Sequence, residues 1–251
     1  MQVLSLRKPP KINYFCSRIK AIINMKNLII LCSVSLLIIA CNDGNANTDI
    51  TETESVNIGS GLPYIGFHDY GNTIKNGEEV VDTIYHTIPE FYLTAQDSST
   101  FSNKNVEGRI HVANFFFTSC PAICPAMIAQ MKRLQEKTND IDELMFVSHT
   151  IDPRRDSIPR LNEYIAQKEL DTHNWFFLYG EKQYVHDLGT DGYMVNAMED
   201  EKADGGFLHS EHFVLVDREG HVRGLYTGTE TDEVDKLEQD IRKLLKTEYG
   251  K

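Results

Sequence analysis

The chain has few cysteines, a shortage of positive charge and no long apolar run. Of its 251 residues 5 are Cys, and 25 Lys and Arg face 37 Asp and Glu, for a formal net charge of −12. With no basic patch in the sequence, that balance excludes nucleic acid as a partner, because phosphate binding needs Lys and Arg to displace counterions. There is no internal repeat, which excludes a solenoid or array. The apolar run Leu28 to Ile39 is interrupted by Cys32, Ser33 and Ser35. It falls short of the ~20 residues of a comfortable membrane-spanning helix.

What this run does have is a basic flank and a defined end. Lys26 precedes it, and it closes Ile38-Ile39-Ala40-Cys41, a small residue before a cysteine. That is the pattern of a bacterial lipoprotein signal. Residues 1–24 are long for the start of such a signal, and Met25-Lys26-Asn27 makes a better one. Residues 1–40 are therefore expected to be a removable leader, and Cys41 the lipidated first residue of the mature chain. Their removal takes six Lys/Arg and no acid, leaving a net charge of −18. Residues 41–61 are polar and read as a flexible tether. Residues 62–251 are then one domain, exported and held to a bacterial membrane by lipid, in the periplasm or otherwise outside the cytoplasm.

Within that domain the apolar pattern alternates between two periods. Arg109 to Thr118, Leu144 to Ile151 and Trp175 to Tyr179 are short apolar, β-rich runs of buried-strand type. Thr87 to Thr94 alternates as a strand, followed by a turn at Gln96 to Ser99. Pro125 to Lys137 carries Met127, Ile128, Met131 and Leu134 at helical spacing. Ser157 to Lys168, Lys182 to Leu188 and Val234 to Leu245 follow the same period. His212 to Asp217 and His221 to Thr227 flank Arg218-Glu219-Gly220 as a hairpin. The order predicts an α/β domain, a central mixed β-sheet flanked by helices. A strand, a cysteine loop, a helix, a late hairpin and a final helix make a thioredoxin-like fold.

Cys16 and Cys32 fall with the leader and Cys41 with the anchor, so Cys120 and Cys124 are the thiols left to the domain. They lie in Phe115-Phe116-Phe117-Thr118-Ser119-Cys120-Pro121-Ala122-Ile123-Cys124-Pro125, where a strand meets a helix. Pro125 suits a first helical position, which makes Cys124 the N-cap and leaves Cys120 in the loop. The positive end of the helix dipole would then favour thiolate. Two such sulfurs can form a disulfide or clasp one soft ion, Cu(I) or Zn(II). A buried inert pair, or a merely stabilising disulfide, is the bland alternative. Of nine histidines, His209 and His212 stand just before the late hairpin, and His149 ends another strand. Each could approach the cysteines. His221 sits in a turn and is expected to be solvated.

Three segments together resemble the Sco/SenC family: Phe-Phe-Thr-Ser-Cys-Pro-Ala-Ile-Cys-Pro, then Val147-Ser148-His149-Thr150-Ile151-Asp152-Pro153-Arg154-Arg155-Asp156, then Leu208-His209-Ser210 leading to Asp217-Arg218-Glu219-Gly220. The resemblance runs from about Pro89 to the C-terminus. It implies a membrane-tethered, thioredoxin-like copper protein that matures the copper centre of cytochrome c oxidase. Cys120 and Cys124 match the family's copper cysteines and His209 its copper histidine, with His212 second. Asp152 and Asp156 match a motif beside the site, as loop-forming rather than ligating residues. The implied partners are a copper-receiving oxidase subunit and a thiol reductant protein. The alternative is a tethered thiol–disulfide oxidoreductase that keeps a partner's copper-ligand cysteines reduced. The usual reductase spacing is two residues between cysteines, and here there are three. A thiol peroxidase would need Thr three residues before its reactive cysteine, where this chain has Phe117 and Pro121.

Overall fold

The computed structural model describes residues 61–250, except Ala122, Asn196 and residues 200–206, together with the strand Ser55–Val56. For Ser55–Val56, Ala197–Glu199 and Phe207–His209 it describes the backbone alone. The expected leader and Cys41 lie outside the described residues, as does most of the expected tether. No helix among the described residues is long and apolar enough to cross a membrane.

Thirteen strands are described. They are β1 (Ser55–Val56), β2 (Tyr64–Ile65), β3 (Asp69–Lys75), β4 (Glu78–Ile84), β5 (Tyr92–Ala95), β6 (Thr100–Ser102), β7 (Ile110–Phe116), β8 (Leu144–Thr150), β9 (Trp175–Tyr179), β10 (Ala197–Glu199), β11 (Phe207–His209), β12 (His212–Val216) and β13 (Val222–Thr227). The helices are α1 (Asn103–Val106), α2 (Cys124–Lys137), α3 (Ile158–Lys168), α4 (Lys182–Asp187) and α5 (Thr231–Glu248), and a π-turn at Leu188–Gly192 extends α4. Nine strands form one sheet in the order β1-β2-β13-β12-β7-β8-β9-β5-β6. Only β7, β8 and β9 run parallel, so the sheet is mixed as expected.

Every residue of β7 and β8 is buried, which is why both read as unbroken apolar runs rather than alternating ones. Successive residues still point to opposite faces. Phe116 packs on Tyr164 of α3, while Phe115 packs on Tyr193, just past the π-turn. Helices thus cover both faces. On the α3 side, α5 also closes on α2 through Arg133 and Lys137, which both reach Asp235, at 2.6 and 2.7 Å.

The first described residues of the domain are locked to its last helix by a buried arginine. Arg223 of β13 is 1 % exposed and donates to the carbonyls of Leu62 (2.7 Å) and Pro63 (3.1 Å), to Asp217 (2.9 Å) and to both oxygens of Glu248 (2.6 and 2.7 Å). Tyr64 lies under its guanidinium at 4.1 Å.

The strand read over Thr87 to Thr94 forms only from Tyr92. Before it, the Ile88 amide is taken by the Gly220 carbonyl (2.8 Å), Pro89 has no amide, and Asn103 bonds both the Pro89 carbonyl and the Phe91 amide. The β3–β4 hairpin, a separate two-stranded sheet, was not among the expected elements. Its turn is Asn76-Gly77, with φ of 56° and 85°, the conformation that Asn-Gly favours between paired strands.

Candidate metal centre

The cysteine loop leaves β7 at Phe116 and turns at once. The Cys120 amide donates to the Phe117 carbonyl at 3.2 Å. α2 begins at Cys124, with Ile123 at the cap position and Pro125 second in the helix. The helix therefore starts one residue earlier than expected, and Cys124 is not the cap. The Ile123 carbonyl accepts the first intrahelical bond, from Met127 at 3.0 Å. The Cys124 amide, one of the groups a helix start leaves unpaired, donates to the Cys120 sulfur at 3.4 Å. That bond draws the two cysteines onto one turn. Neither is in a disulfide, and both are buried, 8 % and 1 % exposed.

The expected lowering of thiol pKa by the helix dipole does not describe Cys124. Its thiol is pushed well up, first by the hydrogen bond to Cys120, then by burial, with the Asp156 charge adding and a Phe117 amide opposing. The physical reason is that two neighbouring sulfurs out of water hold a proton between them rather than both ionise. A soft cation in the proton's place compensates both thiolates, so binding one releases protons.

Below the loop lies a set of polar side chains that sequence reasoning only partly marked. Asp156 is fully buried, and its carboxylate accepts from the Thr118 amide (2.9 Å), the Thr118 hydroxyl (2.6 Å) and the Thr150 hydroxyl (2.6 Å). Arg160 donates to the Thr118 hydroxyl oxygen at 3.1 Å. Asp152 pairs with Arg155 at 2.8 Å, and Arg155 also reaches Ser119 at 3.3 Å. Neither aspartate caps α3, whose cap position is Ser157. Both shape the loop, as expected of that motif. Tyr164 also belongs to these surroundings: burial first, then the charges of Cys124 and Cys120, raise its phenol pKa. Its position on the apolar face of α3 was visible in the sequence, but its nearness to the thiols was not.

The histidines divide. β12 is antiparallel to β7, with Val214 opposite Ala113. The start of β12 and the residues just before it therefore lie at the sheet end where β7 delivers the cysteine loop. His209 is the last residue of β11, opposite Ala197 of β10. It thus ends a small hairpin rather than sitting in open loop, and its side chain is outside what is described. His212 starts β12, half-buried, with its Nδ1 2.7 Å from the Ser210 hydroxyl.

His149 does not approach the cysteines. It is paired in register with Phe115 and stacks on that ring at 4.8 Å, with Tyr193 at 5.2 Å and Phe91 at 6.3 Å. This is the face opposite α3. His221, expected in solvent, is half-buried and bonds Asp217 at 3.2 Å. Asp217, Glu219 and His221 lie close enough together to hold a metal. However, Asp217 is already taken up by Arg223 and by the amides of Glu219 (3.0 Å) and His221 (2.8 Å).

The chain is similar to known proteins in sequence and in fold. Residues 82–246 match the family model described as SCO1/SenC. The SCO1 protein homolog of Bacillus subtilis (strain 168) is 29 % identical over 169 residues, covering 66 % of this chain and 86 % of that protein. The crystal structure of a SCO1/SenC family lipoprotein from Bacillus anthracis superposes with a TM-score of 0.58 at 30 % identity, covering 63 % of this chain and 95 % of that one. Arabidopsis thaliana ScoI, solved with copper bound, gives a TM-score of 0.52 at 26 % identity, over 61 % of this chain and 97 % of that one. The thioredoxin-like fold is common to them.

Proposed function

This chain belongs to the SCO1/SenC family, and from that membership we propose that it is a copper-binding metallochaperone that serves the maturation of the copper centre of cytochrome c oxidase. The observation that carries the reading is the pair of buried cysteines, not joined by a disulfide, drawn together by the Cys124 amide on the Cys120 sulfur. Two soft donors of this kind suit Cu(I) as cargo. His209, at the same end of the sheet, adds the nitrogen that Cu(II) prefers. The copper-bound Arabidopsis relative supports copper as the ion.

On this reading Cys120 and Cys124 surrender their protons to solvent and hold the ion in a site that keeps water away. Release follows when a copper-receiving oxidase subunit presents its own thiolates. Oxidation of the pair to a disulfide, two electrons passing to a partner disulfide, expels the ion, so a thiol reductant protein restores it. The lipid at Cys41 keeps the domain at the membrane where the oxidase stands. A relative from the same family, 27 % identical, is described by its disulfide switch. That supports a second reading, a tethered oxidoreductase acting on a partner's cysteines.

His209 separates the two. His209→Ala keeps Cu(I), held by the thiolates, but loses or alters the thiolate-to-Cu(II) absorption. His212→Ala leaves both forms near normal, because its ring is engaged with Ser210. Dithiol exchange is indifferent to both. A normal Cu(II) spectrum in His209→Ala and a lost one in His212→Ala overturns the ligand set.

A further inference from the structure

We propose that Asp156 is the positioning residue of the thiol site. Its buried carboxylate holds Thr118 from below and so fixes the turn that presents Cys120. The metal half of this proposal rests on the copper reading above, while its thiol half does not.

The directions of the hydrogen bonds are set by the surrounding donors. The Thr118 hydroxyl oxygen already accepts from Arg160 (3.1 Å), so its own proton goes to Asp156 (2.6 Å). The Thr150 hydroxyl oxygen accepts from the Asp152 amide (3.2 Å), so its proton also goes to Asp156 (2.6 Å). The Thr118 amide is a third donor, at 2.9 Å. Three donors converge on one side chain, and only a carboxylate accepts at both oxygens. An asparagine there must turn its NH₂ toward at least one of them.

The path from this carboxylate to the sulfurs is short. Thr118 follows Phe117, whose carbonyl holds the Cys120 amide at 3.2 Å. The Cys120 sulfur in turn receives the Cys124 amide at 3.4 Å. Thr150 ends β8 and Asp156 stands just before α3. One carboxylate therefore ties the cysteine loop to both elements that pack beneath it. Ligands held by such supporting bonds lose 10- to 100-fold in metal affinity when the support is removed.

The test uses Thr118→Val, which removes only the loop-side hydroxyl, Asp156→Asn, and Arg223→Met as a control. The control loosens the fold at the opposite end of the sheet from the cysteines. The first readout is the alkylation rate of Cys120 in the reduced, metal-free protein. The second is Cu(I) affinity against a chelator, with the Cu(II) absorption band. Thr118→Val is expected to raise alkylation about tenfold and weaken copper by about tenfold or more with a shifted band, and Asp156→Asn to do so further. Arg223→Met, which lowers stability without touching the loop, measures how much of any rise in alkylation comes from general loosening, and its copper affinity should stay near wild type. Wild-type alkylation in Thr118→Val, or an equal rise in Arg223→Met, overturns the proposal. Should Asp156→Asn not fold, Thr118→Val decides alone. A wild-type protein that holds no copper refutes the functional reading instead, and the alkylation arm still decides the role of Asp156.

Discussion

Replacing His149 with Phe should flatten the pH dependence of stability between pH 7 and 5. His149 and His111 sit on one face of the sheet, fully buried, 0 % and 1 % exposed. Among the described residues neither His149 nitrogen has a hydrogen-bond partner, and His111 has one, the Tyr193 hydroxyl at 3.3 Å. Burial pushes His149 down to about 3, with His111 adding, and burial pushes His111 down to about 4 against the pull of Asp217. An unfolded histidine titrates near 6.5. The unfolded chain therefore takes up protons first. The stability tied to these rings is whole above pH 6.5 and is lost as pH falls below it, down to the folded values. At pH 5 each ring has cost about 2 kcal/mol relative to pH 7, about 4 kcal/mol for the pair. Asp217, which burial pushes up but hydrogen bonds from His221 and Arg223 bring lower overall, acts below this window. Urea unfolding of the reduced protein at pH 7, 6 and 5 measures the effect. His149→Phe should lose about 2 kcal/mol less than wild type over that span, whatever its stability at pH 7. Equal losses in the two proteins would refute the buried, neutral assignment of His149.

Arg223→Met should destabilise the domain by about 3–5 kcal/mol, because Asp217 and two carbonyls lose their donor out of water; denaturant titration at pH 7 measures it, and a cost under about 1 kcal/mol contradicts the lock. Cys41 should be the acylated first residue of membrane-extracted protein, so that mass spectrometry finds no peptide N-terminal to it; an intact chain carrying Leu28 to Ile39 sinks that expectation.

The central sheet was legible because β7, β8 and β9 are apolar runs bounded by polar turns, and α2, α3 and α5 carry apolar residues in phase. The cysteine loop was legible from its two prolines and its place between such a strand and such a helix. The cap position was not, since propensity placed Pro125 first in the helix while the Cys120 sulfur supplied an acceptor for the Cys124 amide and drew the helix start back by one residue. His149 was misplaced because its rank at a strand end was weighed without its parity. Opposite Phe115, it faces away from α3, and alternation along β8 already carried that information. The Asp156 contacts join residues 38 and 6 positions apart, and no local period records such a meeting. The β3–β4 hairpin was announced by Asn76-Gly77 and was overlooked among weakly apolar residues.

Cys120 and Cys124 together should hold one Cu(I). Titrating the reduced protein with Cu(I) against a competing chelator, beside Cys120→Ser and Cys124→Ser, tests it directly. One ion per chain should be retained in the wild type and none in either variant, since a hydroxyl is a poor ligand for a soft ion. Stoichiometric copper retained by Cys120→Ser contradicts it.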